Sequence, residues 1–270
     1  MTTTTLGHRA AGRSRGGYGF RTVARMEWRK LRTVRSTWCI IVVFAASMVG
    51  LAMLVLSHEN YAQLPAAQRA SFDPTHDCFI GLVLGQLLFG TLGVLAITAE
   101  FSSGMIRATF AAAPRRSLVL AAKAAVLGAV TLVVGEATAF AAFLAGQAAL
   151  KAPAPHATLG QPGVLRAVLV AGAYPALIAL VSLGIGAVVR HTAGAICAVA
   201  GVLFVLPLLF ITPSLQNAAQ NFLPHPMANA MTAVTPLPGT LPPALVFTLL
   251  CGYALAALTA GAWALTRRDA

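Results

Sequence analysis

The chain has 270 residues, 58% of them hydrophobic and only 10% charged, which leaves too little polar surface to clothe a water-soluble globule of this size. Nineteen Lys and Arg against seven Asp and Glu give a formal net charge of +12. No basic helix interleaved with stacking aromatics stands apart from the apolar runs, so nucleic acid is not the expected partner of that charge; the composition is that of an all-α integral membrane protein.

Residues 1–21 are rich in Arg, Gly and Thr and contain no acid. Organelle transit peptides share this composition, but no small-residue cleavage site follows the first apolar run, and the segment reads as a flexible basic cytoplasmic tail. In "TVARMEWRKLRTVRSTW", Val23, Met26, Leu31, Val34 and Trp38 recur at helical spacing against Arg25, Arg29, Lys30, Arg32 and Arg35. This pattern predicts an amphipathic helix over 22–36 lying along the inner leaflet, with Trp28 and Trp38 as interfacial anchors and Arg29, Lys30 and Arg32 meeting anionic lipid headgroups.

Six apolar runs follow, over 37–56, 78–99, 118–150, 164–189, 193–211 and 244–265. Each is long enough at ~1.5 Å per residue to cross a ~30 Å hydrocarbon core as a helix. An even number of spans puts both ends on one side. With that side cytoplasmic, all basic residues except Arg69, Lys151 and Arg166 fall inside, 16 of the 19, so topology and lipid contact account for the charge. The expected location is the plasma membrane, multi-pass, with both termini cytoplasmic. Cys39, Cys78, Cys197 and Cys251 sit in or beside spans without metal-like spacing and do not report on redox compartment.

Between the second and third runs lies "AITAEFSSGMIRATFAAAPRRS". Ser102 or Ser103 is a candidate cap and Pro114 a stop, which predicts a short cationic helix over 101–114. Met105, Thr109 and Ala112 share one face and Arg107 projects from another. The alternative is a basic loop that only fixes orientation.

Glu136 stands near the middle of the third run, where an ionised carboxylate facing lipid costs ~2.5 kcal/mol or more. It is either a pathway residue or a hydrogen-bonded packing residue. Gln86 and Gln147 read as interhelical hydrogen-bond groups, and Gly81 with Gly85 as a close-packing pair. Pro175 and Pro207 mark expected bends in the fourth and fifth spans. The outer segment over 212–243 alternates polar and apolar residues around seven prolines.

A membrane enzyme is the competing class. His58 with Glu59 and His76 with Asp77 flank the first outer loop, but without a fixed metal-ligand spacing. No Gly-x-Ser-x-Gly elbow and no Asp pair within a span is present. An ion-gradient transporter would carry inverted repeats, and none is discernible. The chain has no phosphate-binding Gly-x-x-x-x-Gly-Lys-Ser/Thr loop, and none of Lys30, Lys123 and Lys151 follows the required glycines.

"MEWRKLRTVRSTW" resembles the elbow helix that opens actinobacterial ABC transporter permeases of the type-2 exporter class. "ITAEFSSGMIRATFAAAPRRS" is similar to that family's Glu-Phe/Tyr-x-x-Gly-x-Ile-Arg-x-x-x-x-x-Pro signature. The resemblance continues more weakly through "VVGEATAFAAFLAGQAAL", "NFLPHPMANAMTAVTP" and "TRRDA". Where family members carry Leu-Pro-Ser-Asn-Ala-Gly, this chain has Leu223-Pro224-His225-Pro226-Met227-Ala228. The resemblance implies six spans behind an elbow, and a coupling helix in which Glu100, Gly104, Arg107 and Pro114 hold the family's positions. It implies export driven by a separate cytoplasmic ATPase that binds ATP and Mg, and a second permease chain beside this one. The chain itself would then need no cofactor and perform no catalysis.

Overall fold

In hydrocarbon a backbone N–H or C=O has no water to bond, so a long apolar run must satisfy its own backbone, and the helix does this within one segment. The computed structural model describes residues 19–113, 115–209, 218–219, 221–235 and 239–267, and in these all regular structure is helical. We number the helices α1 (Phe20–Thr33), α2 (Arg35–His58), α3 (Ala66–Ala70), α4 (Pro74–Asp77), α5 (Leu82–Ser102) and α6 (Met105–Ala112). They continue as α7 (Arg116–Ala149), α8 (Val164–Val189), α9 (Thr192–Leu208), α10 (Pro224–Thr232) and α11 (Pro243–Arg267).

Among the described residues five helices, α2, α5, α7, α8 and α11, are long and apolar enough to cross a membrane. The helix over the fifth expected span, α9, is shorter. Its turn at Gly201–Val205 widens to π geometry just before Pro207, a local adjustment that accommodates a residue with no N–H to give. Residues 210–217, which hold the expected end of that span and the start of the outer segment, lie outside the described residues.

The amphipathic helix begins two residues earlier than the periodicity suggests and stops at Thr33. Val34 is extended (ψ 114°), so the boundary falls two residues before the expected one and Trp38 lies in the second turn of α2. Trp38 Nε1 bridges the break by donating to the Arg32 carbonyl (3.0 Å), one of the acceptors that the end of a helix leaves unpaired.

α8 is the central helix: α5, α7 and α11 pack around it, and α2 leans on α7 and α5. Small residues make the close approaches possible, since a Cβ on Gly93 would meet the Ala179 carbonyl and one on Gly135 the Gly172 carbonyl. Gly81 and Gly85 seat α2 on α5, where added Cβ atoms would lie 2.6 Å from Met48 Cα and 2.6 Å from the Phe44 ring. Val42 and Leu54 on α2, Val133 on α7 and Leu255 on α11 are exposed. Such an apolar exterior suits lipid rather than water. At 34 residues α7 is about 50 Å long, well beyond the hydrocarbon thickness, and one end of it reaches α1.

Candidate functional site

Four charged side chains meet where α1, α5 and α7 converge. Glu27 shares the inward face of α1 with Val23, Glu100 ends the last buried turn of α5, and Lys123 stands two turns into α7; all three are almost fully buried. Lys30, one turn beyond Glu27, closes the group and is partly open. Its ammonium donates to Glu27 Oε1 (2.8 Å) and Glu100 Oε1 (2.9 Å). Lys123 donates to Glu100 Oε1 (2.7 Å) and to Glu27 Oε2. The second oxygen of Glu100 accepts from Thr109 Oγ1 of α6 (3.3 Å).

Two carboxylates and two ammoniums sum to zero, and each carboxylate touches both cations. This is the condition under which burying charge is tolerable, because no ion is left uncompensated and most lone pairs are bonded. Burial alone would depress the Lys30 ammonium, but the hydrogen bonds and charges of Glu27 and Glu100 outweigh it and hold its pKa above the usual lysine value. A cavity of about 370 Å³ lies beside the quartet, with Leu31, Val34, Leu92, Leu95 and Leu127 as apolar walls.

The entry to α6 turns on Gly104, whose φ of +71° lies in the left-handed region that a Cβ disfavours. Ser102 and Ser103 do not cap α6 as expected: α5 runs on through Ser102, and both hydroxyls donate back to the Ala99 carbonyl (3.1 and 2.7 Å), one turn earlier in α5. The cap position belongs to Gly104 and has no side-chain bond. The inward face of α6 is Ile106, Thr109 and Phe110, with Ala113 beyond; Met105 is exposed, and so is Arg107, which makes no hydrogen bond or ion pair among the described residues. Pro114 lies outside the described residues.

Two arginines tie the end of α11 to this region. Arg116 lies over the Phe110 ring (5.3 Å) and donates to the Leu265 carbonyl, while Arg190 lies over Phe101 (5.3 Å) and donates to Ala264. Of the other residues expected at the membrane interface, Trp28, Arg29, Arg32 and Trp38 are exposed, whereas Lys30 turns inward to the quartet.

The opposite end of the bundle is held by hydrogen bonds rather than by buried ion pairs among the described residues. Gln86, fully buried, accepts from the Tyr174 hydroxyl (2.7 Å) and donates to His225 Nδ1 (3.0 Å), joining α5, α8 and α10. Burial keeps the His225 imidazole below the usual histidine range, which suits an accepting nitrogen. Gln147 donates to the Pro74 carbonyl and accepts from the Ala157 N–H. Arg166 closes the C-terminal end of α10 by donating to the Met231 and Ala233 carbonyls. His76 pairs with Thr232 (3.0 Å) and His58 with the Leu54 carbonyl; among the described residues no three His, Cys, Asp or Glu gather as metal ligands. Glu136 lies half-buried over Gly172, apart from both groups, with its Oε2 unbonded.

Sequence reasoning singles out Glu100 and Lys30 but not Glu27 or Lys123. The available signal was complementarity: one acid inside a basic helix, and one lysine inside an apolar run. No family model matches the chain, and no curated protein matches it.

Proposed function

We propose that this chain is the membrane-spanning subunit of an ATP-driven exporter of the type-2 ABC class, with α6 as the cytoplasmic lever on which a separate ATPase acts. The reading implies a second permease chain, both termini on the cytoplasmic side, and α9 as a further span that brings the number to six. The observation that carries it is the attachment of α6. A helix of eight residues, entered through a left-handed glycine, presents an exposed arginine on one face. Its other face reaches, through Thr109 and Glu100, the shared charges of α1 and α7. A force on α6 is therefore delivered to three helices rather than absorbed by a slack loop. Buried ion pairs serve this purpose because separating them exposes charge to a low dielectric.

Arg107 offers a cation to a carboxylate on the ATPase. The test is to purify the tagged chain from its native membranes, identify the copurifying ATPase, and repeat the purification and transport assay with Arg107→Glu. The variant is expected to stay inserted, with an unchanged unfolding midpoint, and to lose the ATPase or transport. Normal assembly and normal transport would reduce α6 to a basic loop.

A further inference from the structure

The face of α1 that turns away from the quartet carries Arg21, Ala24, Arg25 and Trp28 at helical spacing. It faces a stripe of α7 formed by Ala125, Val126, Ala129 and Val130 across an open groove of about 430 Å³. Arg21 and Arg25 are exposed and make no hydrogen bond or ion pair among the described residues; Ala125 and Ala129 are exposed on the far wall. One wall thus ends in two unpaired guanidiniums beside an indole, and the other is a smooth apolar strip running about two turns along a helix long and apolar enough to cross a membrane. We infer that this groove is a seat for one anionic phospholipid, its phosphate held by Arg21 and Arg25 and an acyl chain laid along Ala125 to Val130.

Each half of the groove asks for a different part of that molecule. Guanidinium forks match phosphate oxygens, and two of them one turn apart favour a headgroup with net negative charge over a zwitterion whose own cation would be repelled. An indole beside them suits the interfacial depth at which glycerol esters lie. The alanines remove side-chain bulk so that a chain can lie against the α7 backbone, while Val126 and Val130 supply apolar contact. The inference rests only on the chain being in a bilayer and stands apart from the exporter reading.

Trp28 reports on occupancy directly. Chain carrying Trp38→Phe and Trp263→Phe, which leaves Trp28 as the sole tryptophan, is reconstituted in phosphatidylcholine vesicles containing either brominated phosphatidylglycerol or, at the same mole fraction, brominated phosphatidylcholine. Stronger quenching of Trp28 by the phosphatidylglycerol is expected, with a preference of roughly five-fold per arginine. Arg21→Gln with Arg25→Gln should abolish that preference. Ala125→Leu with Ala129→Leu, which fills the groove and leaves the charge untouched, should reduce quenching by both lipids. Equal quenching by the two lipids in the parent chain would overturn the assignment, as would no quenching at all, which would mean that protein fills the groove. A phosphatidylglycerol preference that survives filling the groove would also overturn it, as the mark of general surface charge rather than a seat.

Discussion

Replacing Lys123 by Met removes one cation from the quartet while keeping an unbranched side chain of similar reach. Lys123 contacts both Glu27 and Glu100 and is almost fully buried, so its loss leaves two buried carboxylates sharing Lys30. Breaking a buried pair by deleting one partner costs about 3–5 kcal/mol. Because Lys30 still reaches both carboxylates and is itself partly open, the low end applies, about 3 kcal/mol. Adding Glu27→Gln restores neutrality: Glu100 keeps Lys30, and the amide oxygen that replaces the carboxylate still offers Lys30 an acceptor. The double variant should recover about 1–2 kcal/mol despite carrying one more substitution. Reversible unfolding in mixed micelles at neutral pH, followed by far-ultraviolet circular dichroism, measures each variant. A Lys123→Met chain within about 1 kcal/mol of wild type, or a double variant no more stable than the single, would refute the argument that these charges compensate one another.

The pH dependence of Lys30 has a definite sign. Its folded pKa is raised above 10.5, so the stability it contributes is complete below 10.5 and is lost as pH climbs through the folded value; wild type and Lys30→Met should converge in thermal melts above that point. Asp77 is pushed up to about 6, by burial first and then by Asp73 and Glu59. Its contribution is present below the ordinary value of 3.8 and is lost as pH rises through about 6, so Asp77→Asn should match wild type near pH 4 and exceed it near pH 7.5 by about 1 kcal/mol after allowance for partial exposure. Gly104→Ala should cost about 1–2 kcal/mol from backbone strain alone, because nothing lies within 4 Å of the added carbon. In a matched pair of melts, Gly135→Ala should destabilise by about 1–3 kcal/mol through collision with the Gly172 carbonyl, whereas Gly50→Ala, with open space around it, should be neutral or stabilising.

The long helices were legible because apolar length is a property of one segment at a time. The run over 164–189 coincides with α8, and those of α2, α5, α7 and α11 differ only at their ends, whereas the run over 193–211 corresponds to the shorter α9. The division between the amphipathic helix and the first span was legible to within three residues, expected after residue 36 and found at Val34, the offset arising because the apolar periodicity continues through Trp38. The fate of Ser102 was hidden: a serine between two helices can serve either one, and the choice depends on how far α5 extends. Glu27 and Lys123 stand 96 positions apart. Their meeting depends on α1 folding back against α7, a tertiary fact without a local signature.

The placement of charge decides which parts of this chain can move together. Only five of the 24 residues of α2 are buried, against fifteen of the 26 of α8, so α1 and α2 form an arm at the edge of a core built on α8. Along α2 that arm is held by neutral contacts, such as the edge of Phe44 against Phe89 at 4.6 Å, and parting these leaves no charge uncompensated. At the quartet sliding is not tolerated, since any displacement that parts Glu27 from Lys123 leaves both charges in a poorly solvated place. The arm, the end of α5, the start of α7 and the attached α6 must therefore move as one piece. Pro175 lies buried inside the continuous α8, whereas the backbone ladder departs from regular α geometry at the wide turn before Pro207 in α9, which lies outside the charged piece.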